Sequence, residues 1–229
     1  MKEYEYVLPE QIEARSFEII KEELTAQNIT LRTLASDTDC PIKSEPVIKR
    51  VIHTTADFDY ADNLVFSENA LTEAYKLLTT GCVIVTDTNM ALAGINKSAL
   101  NKLGIEAFCY MADESVIAEA KDRGLTRAAV SMERAAKHNK PVIYAIGNAP
   151  TALITIYEAY ENYKNANVGT DYHVPGLVIG VPVGFVNVVP AKEMIIDSGL
   201  PYIVARGRKG GSNVAAAIVN ALMYQLTRR

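Results

Sequence analysis

Tryptophan is absent from this 229-residue chain, and histidine and cysteine occur only three times each. Cys40, Cys82 and Cys109 are odd in number, widely spaced and without a C-x-x-C pair. That argues against a disulfide framework and a structural zinc site, and it places the protein in a reducing, cytoplasmic setting. Positive charge is not in excess, since 23 Lys and Arg face 27 Asp and Glu and leave a formal net charge of −4. No global field exists to hold nucleic acid or an anionic membrane, so an anionic ligand must be caught by a local cluster. No repeat and no Ser-rich or single-sign charged linker is visible, and MKEYEYVLPEQIEARSF lacks the apolar core of a signal peptide. A single domain over residues 1–229 is expected. One long uncharged run, residues 174–191, resembles a membrane span, but Pro175, Pro182, Pro190, Gly176, Gly180 and Gly184 would break a helix there. It reads as a buried strand followed by a loop.

What the chain does have is alternation. Apolar, β-branched runs at 82–87, 105–111, 141–147, 176–183 and 201–207 predict buried strands. Amphipathic patterns between and after them predict helices at 97–103, 114–124, 126–138, 151–163, 191–198 and 212–226. Parallel strands need crossover helices, so the fold class is α/β: a three-layer, doubly wound sandwich with a mainly parallel sheet of about five strands. The region before residue 80 shows no convincing strand and is expected to be a helical segment packed on one face. In such folds ligands bind beyond the carboxyl ends of the strands. The loops to watch are therefore 86–97, 146–153, 180–193 and 205–217, all dense in Gly, Asn, Thr or Pro.

Imidazole is the side chain that ordinarily changes charge near neutral pH, so the three histidines are the natural proton-transfer candidates. His138, in KHNKP, suits a solvated helix end, and His173 suits a plain loop. His53 differs. Ser44, Glu45 and Pro46 signal a helix start, and Val47, Ile48, Val51 and Ile52 bury one helical face. Arg50, His53 and Asp57 then fall at i, i+3 and i+7 on the other face, where the guanidinium and the carboxylate oppose each other in their effect on the imidazole's charge. The plain alternative is a solvated helix face.

GRKGGSNVAAAIVNAL sets Arg206, Arg208 and Lys209 among Gly207, Gly210 and Gly211 just before a helix. This is either an anion site or a tight turn that needs glycine. It has neither Walker A nor G-x-G-x-x-G spacing, which weakens a nucleotide-dependent reading. Arg127 opens a helix, where a cation is misplaced unless it meets an anion; otherwise it is an exposed arginine. Asn148 and Thr151 in IGNAPTAL either face a ligand or cap a helix, and Arg15 and Ser16 read as surface residues of an amphipathic helix. Cys82 and Cys109 read as core. The carboxylates show no metal-ligand spacing, and no G-x-S-x-G elbow is present.

Taken together, IEARSFEII, RVIHTTADFD, TDTNMALAGI, GLTRAAV, AIGNAPTAL, GVPVGFVNVVPAKE and GRKGGSNVAAAIVNAL resemble the precorrin-8X methylmutase family over essentially the whole chain. The resemblance implies an intramolecular methyl shift from C-11 to C-12 of a contracted tetrapyrrole in cobalamin biosynthesis, with no cofactor. It assigns the proton donor and acceptor to His53, the histidine of RVIH, and substrate contacts to Ser16 and Arg50. Arg127, which matches the family's Thr-Arg pair, and Arg15 and Lys209 are expected to join them around the carboxylate arms. The uncharged GVPVGFV loop would be a pocket wall, and the family's assembly implies a homodimer with its site near the interface. Departures stand at Asn96–Lys97 and at residues 187–191. A carrier that binds a corrinoid without changing it is the non-enzymatic alternative.

Overall fold

The computed structural model describes residues 5–165 and 174–228. Its elements are, in chain order, α1 (Ile12–Ala26), α2 (Ser44–Thr55), α3 (Tyr60–Asn63), β1 (Leu64–Phe66), α4 (Ala70–Thr80), β2 (Val83–Thr86), α5 (Asn89–Gly94), α6 (Lys97–Leu103), β3 (Glu106–Phe108), α7 (Glu114–Asp122), α8 (Arg127–Ala136), β4 (Val142–Ile146), α9 (Pro150–Asn165), β5 (Leu177–Gly180), α10 (Val188–Asp197), β6 (Tyr202–Ala205) and α11 (Ser212–Thr227). Short 3-10 turns lie at Pro9–Gln11 and Ala35–Asp37.

The six strands form one sheet in the order β1-β6-β5-β4-β2-β3. Five run parallel, as the continuous apolar runs predict; β2, β4 and β5 are buried at every position. Successive strand residues point to opposite faces, and the core divides accordingly. Ile84, Ile143, Ala145, Ile179 and Ile203 join α1, α2, α4, α5, α6 and α11 on one face. Val83, Val85, Tyr144, Val178 and Val204 join α8, α9 and α10 on the other. The three-layer α/β architecture is therefore present. The uncharged 174–191 run folds as β5, a loop and the start of α10, and no helix among the described residues is long and apolar enough to cross a membrane.

One expectation is overturned. The segment before residue 80 contains a strand, β1, which pairs antiparallel with β6 through Leu64 opposite Ala205 and Phe66 opposite Ile203, so the sheet is mixed. Three apolar residues carry no readable period; backbone pairing to β6 makes the segment a strand. His173 lies outside the described residues.

After β2 the chain builds β3 on one side, then returns to build β4, β5 and β6 on the other. The reversal lies between β2 and β4, where doubly wound sheets open a crevice at the carboxyl ends. Here Asp87 closes it: its carboxylate accepts the backbone N–H groups of Gly147 (2.9 Å), Asn148 (2.8 Å) and Ala149 (2.6 Å) at the start of α9. Burial pushes the Asp87 carboxyl up, and those three N–H groups pull against it. Asp87, from outside the IGNAP turn, thus caps α9, a job the sequence reading offered to Asn148 and Thr151.

Candidate active site

The helix carrying His53 is fixed at both ends. At its start, Asp37 accepts the backbone N–H of Ser44 (2.9 Å) and also bonds the buried Ser44 hydroxyl. Val47, Ile48, Val51 and Ile52 are buried, so Arg50 and His53 face outward. At its end, Thr54 and Thr55 hydroxyls donate back to the carbonyls of Arg50 and Val51, and Ala56 turns left-handed (φ 53°). The helix therefore stops before Asp57, and the i, i+3, i+7 stripe does not extend to that residue. Its carboxylate instead takes the Lys209 ammonium at 2.6 Å, which Asp59 shares at 2.6 Å. Partial burial pushes the Asp57 carboxyl up, but the hydrogen bond and charge of Lys209 and the Asp59 N–H leave it below the usual carboxylate range.

His53 is exposed and lies stacked on Phe17, with ring centroids 5.2 Å apart and 19° between planes. Ser16 and His53, brought together from α1 and α2, line one cavity of about 260 Å³ with Ile19, Ile20, Glu23 and Phe58. An imidazole and a hydroxyl thus stand on an otherwise apolar wall bearing one carboxylate. That combination suits proton exchange with an apolar ring system.

The expected cations are distributed differently. Arg50 stacks on Phe17 (4.7 Å) and Tyr224 (5.4 Å) and pairs with Glu13 at 2.5 Å, so it flanks the ring that holds His53 and lines a neighbouring cavity of about 330 Å³. Burial pushes the Glu13 carboxyl up, and the bonds and charges of Arg50 and Arg228 bring it below its ordinary value. Arg15 points away from the His53 cavity, paired with Glu5, Glu18 and Glu22. Arg127, exposed at the start of α8 on the far face of the sheet, donates to the Met111 carbonyl (3.3 Å) and meets no carboxylate among the described residues. Thr126 caps α8 by accepting the Ala129 N–H and bonds Thr151.

At the carboxyl edge the loops are stitched to one another. The Val181 N–H donates to Ile146, the Gly211 N–H to Val181, the Gly184 N–H to Arg208 and the Arg206 N–H to Asn63, while Thr88 and Ser212 hydroxyls bond at 2.7 Å. Arg206 pairs with Glu193, and Arg208 lies 5.2 Å over the Phe185 ring with no carboxylate partner among the described residues. Phe185 and Val186 are 80% and 79% exposed, an apolar surface that the chain does not cover itself. Sequence reasoning missed Phe17, Asp87, Asp59 and Lys192. Phe17 was legible as the residue beside Ser16; the fully buried Lys192 carried no signal, since next to Glu193 in VVPAKEMIID a lysine reads as the solvent-facing part of an otherwise apolar helix.

With this geometry in place, comparison with known proteins is decisive. The family model described as precorrin-8X methylmutase matches residues 11–225. The chain belongs to the precorrin-8X methylmutase family. It is 44% identical over 219 residues to the cobalt-precorrin-8 methylmutase of Salmonella typhimurium, covering 95% of this chain and 96% of that protein. It is 38% identical to the cobalt-precorrin-8 methylmutase of Priestia megaterium over 94% of this chain and 88% of that one, and 37% identical to the precorrin-8X methylmutase of Pseudomonas aeruginosa over 84% and 89%. A solved precorrin-8X methylmutase from Thermus thermophilus superposes with a TM-score of 0.76 at 32% identity, covering 95% of this chain and 98% of that one. Precorrin-8X methylmutases are isomerases that migrate a methyl group within a tetrapyrrole in cobalamin biosynthesis, and this chain is an enzyme of that class.

Proposed function

We propose that the chain converts precorrin-8, in its cobalt-bearing form, by moving the methyl group from C-11 to C-12, with His53 as general acid and base. The observation that carries this reading is the convergence of His53 and Ser16 on one apolar cavity, the imidazole held against Phe17. The imidazole lends a proton to the conjugated ring, which makes the carbon receiving the methyl more electron-poor. After the shift it takes the proton back, so substrate and product are isomers and the enzyme is unchanged. No resident cofactor is needed for this balance. Ser16 orients the macrocycle edge from the same wall, and Arg50 acts from behind Phe17.

A cavity of about 260 Å³ is below the usual range for sites that enclose a whole ligand, roughly 300–1,000 Å³, so it receives one edge of the macrocycle. The rest lies over the surface formed by Phe185 and Val186, where Arg208, which meets no carboxylate among the described residues, takes the acidic arms. Arg127 serves an arm from the far side, and Lys209 acts through its clamp on Asp57 and Asp59. A homodimer closes over the macrocycle bound on this surface, and equilibrium sedimentation should give twice the chain mass. The cytoplasmic setting is supported by buried free thiols at Cys40 and Cys82, the latter pushed up to about 12 by burial. Incubation with the precorrin-8X tetrapyrrole, followed by absorption, tests the activity. Tight binding with an unchanged spectrum would instead support the carrier.

A further inference from the structure

Lys192 lies on α10, is fully buried, and spends its ammonium on two backbone carbonyls, those of Gly207 and Lys209, each at 2.8 Å. No carboxylate pairs with it among the described residues, so a desolvated charge is retained for two main-chain contacts. The carbonyl between them, that of Arg208, accepts the Gly184 N–H (3.2 Å). The carbonyls of residues 207 and 209 are thus turned toward Lys192, and the one between them toward the neighbouring 184 loop. Trans peptides point each N–H opposite to the adjoining C=O, so the N–H groups of Arg208 and Gly210 face away from Lys192. The next residue of α10, Glu193, holds Arg206 at 3.1 Å, so α10 grips the loop twice. The loop fixed this way delivers the Lys209 ammonium to Asp57 and Asp59, in the turn that directly follows the His53 helix.

We propose that Lys192 is a positioning residue for the methyl shift: it sets the direction of the 207–209 peptides, and through Lys209 it fixes the turn that ends the His53 helix. Burial lowers the Lys192 amine to about 8, in keeping with a group held for its donors. The inference rests on His53 as the acid and base.

The test is a double-mutant cycle of Lys192→Met and Lys209→Met in the full chain, read by kcat and KM on the precorrin-8X tetrapyrrole and by amide hydrogen exchange. Lys192→Met should lower kcat about tenfold. It should also speed exchange at both 206–211 and 56–59, and adding Lys209→Met should change kcat less than twofold further. Losses that multiply, or unchanged exchange at 56–59, overturn the proposal. If Lys192→Met does not fold, Lys192→Gln, which keeps two donors on a shorter reach, should show the same paired exchange change. Exchange confined to 206–211 in that variant would refute it. Exchange needs no turnover, so wild-type activity in His53→Ala with paired exchange intact would sink the His53 reading and leave the Lys192 coupling standing.

Discussion

Replacing Gly210 with alanine should damage the stitched edge of the sheet more than any other loop glycine substitution of that size. A Cβ at this position would stand 2.0 Å from the Val181 carbonyl oxygen, 2.8 Å from its carbon and 3.0 Å from the Pro182 oxygen. Ordinary C···O contacts begin near about 3.3 Å, so one of the two strands of backbone must move by more than about 1 Å. The adjacent bond from the Gly211 N–H to that same Val181 oxygen, 2.8 Å, is lost in the process. Overpacking of this kind costs roughly 1–3 kcal/mol and the bond about 1 kcal/mol, for a total of about 2–4 kcal/mol. For a domain of this length that lowers Tm by about 4–16 °C. Gly207→Ala is the control. Its Cβ meets nothing within 4 Å, and only the left-handed φ of 77° resists it, at roughly 1–2 kcal/mol. Urea unfolding and turnover of both variants measure the comparison. If Gly210→Ala unfolds within about 0.5 kcal/mol of wild type and turns over normally, the close approach of the two loops is not real.

Other substitutions probe the remaining contacts. Lys192 has a folded pKa of about 8, below the roughly 10.4 of an unfolded lysine, so its contribution to stability is full above about pH 10.4 and is lost as pH falls through 8. Wild type should therefore gain roughly 3 kcal/mol on Lys192→Met between pH 7 and 10.5, measured by urea midpoints; parallel pH curves would refute the burial argument. Asp57 lies below its ordinary value, so its contribution is present above about pH 4 and disappears as pH falls through the folded value. Asp57→Asn should flatten the acid-side loss of protection at residues 56–59 in hydrogen exchange. Arg50→Ala removes its stacking on Phe17 and Tyr224 and should cost about 1–2 kcal/mol in denaturant unfolding, with kcat falling as the His53 ring loosens.

The parallel strands were legible because buried β-branched runs bounded by turns leave few alternatives, and the helices between them follow from the crossovers. β1 was not, since three apolar residues become a strand only by pairing with β6. The outward placement of Arg50 and His53 was readable from the buried stripe of Val47, Ile48, Val51 and Ile52. The helix stop was hidden because Ala56 takes a left-handed turn that glycine normally signals. That one backbone angle removes Asp57 from the helical face and gives it to Lys209. Charges misled for a related reason: Arg50, Arg15, Arg206 and Lys209 read as free rim cations, yet each has a carboxylate partner brought in by the fold.

The role of His53 is settled by single-turnover absorption with the precorrin-8X tetrapyrrole on His53→Ala, accompanied by a binding titration. The variant should bind the tetrapyrrole nearly as wild type does and convert it at least about 100-fold more slowly, since a positioned acid and base is worth that much or more. Conversion at the wild-type rate would contradict the mechanism.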